Sequence, residues 1–85
     1  MAKYNIEIKK SAVKEIEHLP AKDIKGVLAK IHELANNPRP HGSQKLSNQE
    51  RYRIRYGNYR IVYAIEDDVL IVIVVKVGHR KDIYR

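Results

Sequence analysis

Apolar and polar residues alternate near the N-terminus and again in the second half of the chain, a pattern typical of strands with one buried face. The segment "YNIEIKK" predicts a first strand. Further strands are expected at about residues 51–56, 59–66 and 69–77, joined by Gly57–Asn58 and Asp67–Asp68 turns. These short turns make an antiparallel meander, and the last strand, apolar on both faces, should lie centrally beside the first.

Between the first strand and the meander, apolar residues recur at the spacing of helices. A first helix is expected with Ser11 as its N-cap and Pro20 at its end. A second should run from about Asp23 to Asn36 or Asn37, and the segment "RPHGSQKLSNQE" after it is predicted to be an irregular loop. The chain is therefore predicted to be one α+β domain, residues 1–85, with a helix hairpin covering one face of a single sheet.

The stretch "YRIRYGNYR" is rich in arginine for a segment with the pattern of a β-hairpin. Because successive strand residues point to opposite faces, Arg53 and Arg55 share the face that the helices do not cover. A type II′ turn at Gly57–Asn58 would place Arg60 opposite Arg55, on the same open face, where its removal would open no cavity. Like charges placed opposite each other destabilise a sheet, so the pattern indicates an anionic ligand.

The positive charge of the chain is concentrated in this region. The net charge is +7, and six of the seven arginines lie beyond residue 50, whereas seven of the ten lysines lie before residue 44. Arg51 extends the cluster, and no acidic residue lies between Arg51 and Arg60. Such a surface favours nucleic acid, an anionic surface or an acidic protein as a partner, and arginine suits two-point contact with phosphate.

A second candidate cluster follows the last strand, in the segment "VGHRKDIYR". His79 taken alone is most simply a surface histidine at a strand end. With Arg80 and Tyr84 nearby and the hairpin arginines in the same sheet, it is expected to be a proton carrier beside a phosphate-binding cluster that includes Lys81. Tyr84 is expected to stack on an unpaired base.

Several function classes are excluded by what the sequence lacks. It contains none of the motifs G-x-x-x-x-G-K-S/T, G-x-G-x-x-G and G-x-S-x-G, so no cofactor is expected. Its histidines are too scattered for a metal site, and it has no cysteine. The N-terminus lacks the apolar core of a signal peptide, and residues 69–75 are too few to span a bilayer as a helix, so a cytoplasmic protein without a membrane partner is expected.

Two segments, "YRIRYGNYRIVYAI" and "VIVVKVGHRKDIYR", carry a resemblance to a known family. Together they resemble the RelE/ParE superfamily of toxins from type II toxin–antitoxin pairs, and its RelE-type ribonuclease branch most closely. The helix hairpin fits by order and length. The resemblance implies a RelE-like fold and a metal-independent endoribonuclease that cleaves messenger RNA in the ribosomal A site. The implied reaction is attack by the ribose 2′-hydroxyl, which gives a 2′,3′-cyclic phosphate.

The resemblance also assigns roles by position. Arg53 and Arg55 stand where the RelE pattern has basic residues, often lysines, and would hold the RNA backbone. Arg51, from the charge cluster, is expected to add to this phosphate-binding surface. Arg60 matches the arginine of the "G-x-Y-R" hairpin and Arg80 the arginine after the "V-G-x" turn, and this pair would grip the scissile phosphate.

The lysine-to-arginine difference affects the expected proton acceptor. Arginine stays protonated near neutral pH, so Arg53 and Arg55 cannot act as the base. The resemblance then leaves His79 as the expected base, with Tyr84 matching the tyrosine near the C-terminus of the family pattern.

The resemblance implies partners as well as an activity. A RelB-like antitoxin with an acidic or amphipathic segment is expected to mask the arginine face, and messenger RNA and the ribosome are the expected targets. The alternative is a ParE-like toxin that inhibits DNA gyrase without nuclease activity. A degenerate member that only binds its antitoxin or RNA is a third possibility. The arginine, histidine and tyrosine set favours the ribonuclease.

Overall fold

The computed structural model describes residues 3–46 and 50–79, and these form two helices and five strands. The helices are α1 (Lys10–Glu17) and α2 (Ala21–Glu33), and the strands are β1 (Asn5–Ile8), β2 (Gln44–Lys45), β3 (Arg51–Tyr56), β4 (Tyr59–Glu66) and β5 (Ile71–His79). Within these ranges, neither helix has the length and apolar character needed to cross a bilayer. The predicted α+β class and the order of strand, helix hairpin and meander are confirmed.

The strands form one mixed sheet in the order β1–β5–β4–β3–β2. β1 pairs with β5 in parallel, and the other pairs are antiparallel, so the predicted central position of the last strand is confirmed. Arg55 lies opposite Arg60, as the turn at Gly57–Asn58 predicts. Gly57 has a φ of +58° and Asn58 is not in the positive region, which matches a type II′ turn.

Both helices pack on one face of the sheet and form the core with it. The buried core side chains are Ala12, Ile16, Val27, Ile31 and Leu34 from the helical half and Ile54, Ile61, Tyr63, Val72, Val74 and Val77 from the sheet. Full burial of such an aliphatic side chain contributes about 1.5–3 kcal/mol, so this face supplies most of the driving force for folding. The arginine face, on the other side of β3 and β4, has neither α1 nor α2 over it.

The helix boundaries differ from the predicted ones. α1 begins at Lys10, so Ser11 is not its N-cap; Lys9 holds that position because its N–H extends the β1 ladder to the carbonyl of Val74 at 3.0 Å. α2 begins directly after Pro20 and ends at Glu33, three residues before Asn36. The backbone N–H groups of residues 34–36 donate to the carbonyl oxygens three residues earlier in the chain. These hydrogen bonds are of the 3₁₀ type, so the backbone is more tightly wound after the α-helix ends.

Two strand predictions are also corrected. β5 begins at Ile71, because the β4–β5 turn takes four residues, up to Leu70, which adopts a φ of +55°. The predicted two-residue turn at Asp67–Asp68 is therefore wrong. β2 lies inside the segment predicted to be irregular, where its two residues are too few to show a period.

Tyr63 links the core to the loop after α2 and makes stability sensitive to alkaline pH. Its side chain is fully buried, and its hydroxyl donates a hydrogen bond to the carbonyl oxygen of Pro38 at 2.7 Å. Burial raises the pKa of Tyr63 from 10.0 to about 12. Because the folded pKa exceeds the unfolded one, this contribution to stability is complete below pH 10 and is lost as pH rises towards about 12.

We expect the free energy of unfolding to fall by about 2–3 kcal/mol over that pH window because of Tyr63. Urea denaturation at stepped pH measures it. Tyr63→Phe removes the ionisable group and should flatten this part of the profile, while the other tyrosines titrate as before. An alkaline decline of the same size in Tyr63→Phe would show that Tyr63 is not its source.

Candidate functional site

A cleft of about 400 Å³ opens on the helix-free face of the sheet. Its lining residues are Gly42, Gln44, Arg53, Ile54, Arg55 and Arg60. Arg55 and Arg60 are directly opposite each other in the β3–β4 pair, and Arg53 lies two residues along β3 on the same face. The structure thus brings together the three arginines that the sequence predicts for one face, and we call this site the arginine cleft.

The three arginines differ in exposure. Arg55 is exposed and Arg53 is half-buried, whereas Arg60 is only 5% exposed. The expectation that removal of Arg60 would open no cavity is therefore wrong. The reason is its strand: β4 has a neighbour on each side, so side chains of both β3 and β5 can pack against Arg60.

Gln44 sets the direction of the Arg53 side chain. The two residues are paired across β2 and β3, and the Gln44 Oε1 atom accepts hydrogen bonds from Arg53 Nε at 3.1 Å and from Arg53 Nη2. Gln44 could not be predicted from the sequence, because its two-residue strand is too short to produce a pattern. Its position two residues after a loop glycine, Gly42, was the one signal, and a weak one.

Arg51 lies on the same face of β3 but at the other end of the strand. It is opposite Ala64 and does not line the arginine cleft. Four residues of strand separate it from Arg55, which corresponds to about 13 Å. Arg51 can extend the basic surface along a polyanion but cannot share one phosphate with Arg55.

His79 lies on the opposite face of the sheet from the arginine cleft. It is paired with Tyr59, and the two rings meet edge to face with centroids 6.1 Å apart. The Tyr59 hydroxyl donates to an Asp23 carboxylate oxygen of α2 at 2.8 Å, which marks this as the helix side. The expectation that His79 adjoins the arginine cluster is wrong, because Gly78 is the residue opposite Arg60 and strand neighbours point to opposite faces.

The surroundings of His79 form a separate groove of about 450 Å³ between α1 and the end of β5. Its polar lining includes Lys14, Glu15 and His18. Glu15 accepts a hydrogen bond from the backbone N–H of Val77 at 2.9 Å. Val77 lies beyond the last β5 residue that pairs with β1, so the Glu15 carboxylate takes the place of a strand partner for this N–H. This groove is part of the packing of α1 on the sheet.

The arginine cleft is suited to binding an anion. The described residues that line it carry three guanidinium groups and no carboxylate. Among residues 3–46 and 50–79, no three histidine, aspartate or glutamate side chains gather where they could hold a metal ion. Guanidinium groups spaced along two adjacent strands match the repeated phosphates of a nucleic acid backbone.

Comparison with known proteins decides the family. Residues 6–84 match the family described as the ParE toxin of type II toxin–antitoxin systems, parDE. The putative toxin RelE1 of Methanocaldococcus jannaschii is 31% identical over 98% of this chain and 97% of its own length. The chain belongs to the RelE/ParE family of type II toxins. The family predicted from the two sequence motifs is therefore confirmed.

Solved structures of other toxins in this family have the same fold. The RelBE2 toxin–antitoxin complex of Mycobacterium tuberculosis matches with a TM-score of 0.84 at 24% identity, covering 94% of each chain. The RelB–RelE antitoxin–toxin complex of Methanococcus jannaschii matches with a TM-score of 0.71 at 31% identity, covering 92% of this toxin and 94% of that chain. The helix hairpin on a mixed sheet is thus the fold of RelE toxins.

Three predicted site residues of this toxin, Arg80, Lys81 and Tyr84, lie outside the described residues. Their assigned roles stay predictions. Arg53, Arg55 and Arg60 are the predicted site residues that the structure brings into one cleft.

The position of His79 changes what we expect from its substitution. Because the imidazole contacts Tyr59 on the helix side, His79→Gln should leave the RNA cleavage expected from the family resemblance within about threefold of wild type, rather than reduce it by the 100-fold or more typical of a lost general base. Single-turnover cleavage across pH 5–9 checks this, with His18→Gln as a matched control in the same groove. A 100-fold loss confined to His79→Gln, with loss of the acidic limb of the pH profile, would restore the general-base assignment.

Proposed function

We propose that this toxin is a metal-independent endoribonuclease that cleaves messenger RNA on the ribosome. The observation that carries the proposal is the arginine cleft, which presents Arg53, Arg55 and Arg60 to one anion-binding space on the open face of the sheet. A gyrase inhibitor has no need for three guanidinium groups along a cleft that fits successive phosphates. The relative from Methanocaldococcus jannaschii that matches over 98% of this chain is named a putative toxin RelE1, which agrees with this choice.

The arginines would lower the barrier by electrostatic stabilisation. The 2′-hydroxyl oxygen attacks the adjacent phosphorus, the bond from phosphorus to the 5′-oxygen breaks, and the products are a 2′,3′-cyclic phosphate and a 5′-hydroxyl. Negative charge grows on the non-bridging oxygens during attack. Arg60, at the bottom of the cleft, would bond these oxygens, and one such donor is worth about 3–4 kcal/mol of barrier. Arg53 and Arg55 would bind the flanking phosphates.

The proton of the 2′-hydroxyl needs an acceptor that the described lining of the cleft does not supply, while the leaving 5′-oxygen takes its proton from solvent water. Arginine and glutamine side chains do not accept a proton near neutral pH, and His79 lies on the other face of the sheet. We therefore assign proton transfer to Tyr84 or to a group of the ribosome. The second alternative would restrict cleavage to ribosome-bound message.

The cognate antitoxin is the second partner of the proposal. The related complexes from M. tuberculosis and M. jannaschii each hold a toxin with its RelB-type antitoxin. Like charges around the arginine cleft repel one another, so an acidic segment laid over Arg53 and Arg55 would bind strongly and block RNA at the same time. We expect charge reversal at these positions to weaken antitoxin binding and to make the remaining affinity less dependent on salt.

The test is primer extension on a defined message in a translation extract to which the purified toxin is added. Discrete cuts within ribosome-bound codons, with 5′-hydroxyl ends, are the expected result. Arg55→Ala, an exposed cleft variant that should fold normally, is expected to reduce the cuts by about tenfold or more. Lys22→Ala on α2 is the control, because it removes the same charge far from the cleft.

A parallel assay of DNA supercoiling by gyrase separates the two toxin activities. An intact message together with loss of supercoiling would overturn the nuclease proposal and establish the gyrase inhibitor. Cuts that are unchanged in Arg55→Ala would show that cleavage does not use the arginine cleft. An intact message with normal supercoiling would identify a degenerate member that only binds.

A further inference from the structure

The loop between α2 and β2 forms one wall of the arginine cleft and is fastened at its start. Pro38 is buried, and its carbonyl oxygen accepts the hydrogen bond from the Tyr63 hydroxyl. A turn then brings the Ser43 N–H to the carbonyl of Pro40 at 3.0 Å. The loop ends at Gln44, which lines the cleft together with Gly42. Three residues therefore separate Pro38, where the loop is anchored, from Gly42 in the cleft wall.

Arg39 directly follows Pro38 in this loop. Its side chain contacts two other parts of the fold. Its Nη1 and Nη2 atoms donate to the two carboxylate oxygens of Asp67 at 3.3 and 3.0 Å, and its Nε donates to the Tyr52 hydroxyl at 3.2 Å. The guanidinium also lies over the Tyr52 ring, 5.2 Å from its centroid. The loop is thus joined to the β4–β5 turn and to β3 by one side chain.

Asp67 is held from a second side by the first strand region. The Tyr4 hydroxyl donates to Asp67 Oδ1 at 2.6 Å. The hydrogen bond with Arg39, and after it the bond with Tyr4, keeps the pKa of Asp67 below its ordinary value, and the same contact with Asp67 raises the pKa of Tyr4. The carboxylate therefore remains ionised and paired over the whole physiological range of pH. We call Arg39, Asp67, Tyr4 and Tyr52 the loop clamp.

β2, which carries Gln44 of the cleft wall, is a short strand with little support of its own. β2 has two residues and pairs with β3 alone, at the edge of the sheet. An edge strand of this length has little stability unless other contacts support it. Its Gln44 nevertheless directs Arg53, so a shift of the loop would redirect a phosphate-binding side chain. Arg39 itself is not among the residues that line the cleft.

We propose that Arg39 and Asp67 are positioning residues for RNA binding: the clamp holds the loop, the loop holds β2, and Gln44 then orients Arg53 in the cleft. This inference deepens the proposed function and rests on it. Arg39 thus serves a nucleic acid site without touching the nucleic acid. Its charge is already paired with Asp67, so it adds little to the attraction of the cleft for phosphate.

The test exploits opposite charge changes. Arg39→Ala removes a positive charge and Asp67→Asn removes a negative one, yet both break the clamp. General electrostatics predicts tighter RNA binding by Asp67→Asn, because the toxin becomes more basic. The clamp predicts that both variants bind about five- to tenfold more weakly, since a charge-assisted contact to phosphate is misdirected. Fluorescence anisotropy with a 2′-O-methyl oligoribonucleotide, which cannot be cleaved, measures the dissociation constant.

A spectroscopic signal reports the position of Arg53 independently of RNA. The Nε–Hε resonance of Arg53, assigned by its loss in Arg53→Lys, should lie at a hydrogen-bonded position in wild type and move towards the free position in both clamp variants. Lys30→Ala is the matched control, because it breaks another surface ion pair, with Glu33, and should leave the signal in place. Melting temperatures should fall by no more than about 5 °C, as expected for an exposed pair.

Two results would overturn the inference. One is Asp67→Asn binding the probe as tightly as wild type or more tightly. The other is an unshifted Arg53 signal in Arg39→Ala. A wild-type toxin that neither binds nor cleaves RNA would instead contradict the proposed function, and the Arg53 signal would still decide whether the clamp positions the cleft.

Discussion

Replacement of Arg60 by alanine is expected to reduce RNA cleavage by about 100- to 1,000-fold, the range found when one donor to a developing oxyanion is removed. Arg60 is 5% exposed and lines the arginine cleft, so solvent screens its interaction with phosphate less than it would screen that of an exposed arginine. The same burial means that alanine also removes packed methylene groups, at a cost of about 2 kcal/mol in stability. The alanine variant alone therefore mixes two effects.

Two further variants separate these effects. Arg60→Met keeps most of the side-chain volume without the charge, so it should melt close to wild type and still lose cleavage by about 100-fold or more. Arg60→Lys keeps the charge but not the two-point geometry and should retain partial activity. Single-turnover kinetics and thermal melts on the same samples provide both readouts. Cleavage by Arg60→Met within about threefold of wild type would show that Arg60 is a structural residue.

Replacement of Gly26 by alanine is expected to lower the free energy of unfolding by about 1–3 kcal/mol. The same change in an ordinary helix interior raises stability by about 1 kcal/mol, so the expected sign is unusual. The cause is close packing between α2 and β3: a Cβ atom at Gly26 would overlap the hydroxyl and Cζ atoms of Tyr56. The half-buried Tyr56 ring would have to leave its place against the core.

A second background tests this cause directly. When Tyr56 is replaced by alanine, the space above Gly26 is free, and Gly26→Ala should then stabilise the toxin by up to about 1 kcal/mol. Urea denaturation of wild type, the two single variants and the double variant measures the effect of Gly26→Ala on the free energy of unfolding in each background. We expect this effect to change sign. Equal destabilisation in both backgrounds would show that the Tyr56 ring is not the obstacle.

The arginine cleft was predictable to the extent that it depends on strand alternation. Arg53, Arg55 and Arg60 could be assigned to one face because a two-residue turn fixes the register of a hairpin. His79 could not be placed in the same way. Counted from the β4–β5 turn, it lies beyond a register shift between the two strands. One extra residue in β5 at this shift reverses the face to which each later residue is assigned by simple alternation.

Gln44 and Arg39 were missed for a different reason. Both lie in or beside a loop, and loops carry no periodicity from which a partner could be read. The partners of Arg39 are Asp67 and Tyr52, which are 28 and 13 residues away in the chain. Only the closing of the sheet brings them within hydrogen-bond distance.

The sequence by itself determined the class of this protein, the order of its elements, the register of the β3–β4 hairpin and the family of toxins to which it belongs. These features follow from local patterns: alternation in strands, helical spacing and a glycine in a tight turn. The tertiary structure alone decided how deeply Arg60 is buried, on which face His79 lies and what holds the wall of the arginine cleft. Burial and side-chain contact depend on residues distant in the chain, and a local pattern contains no information about them.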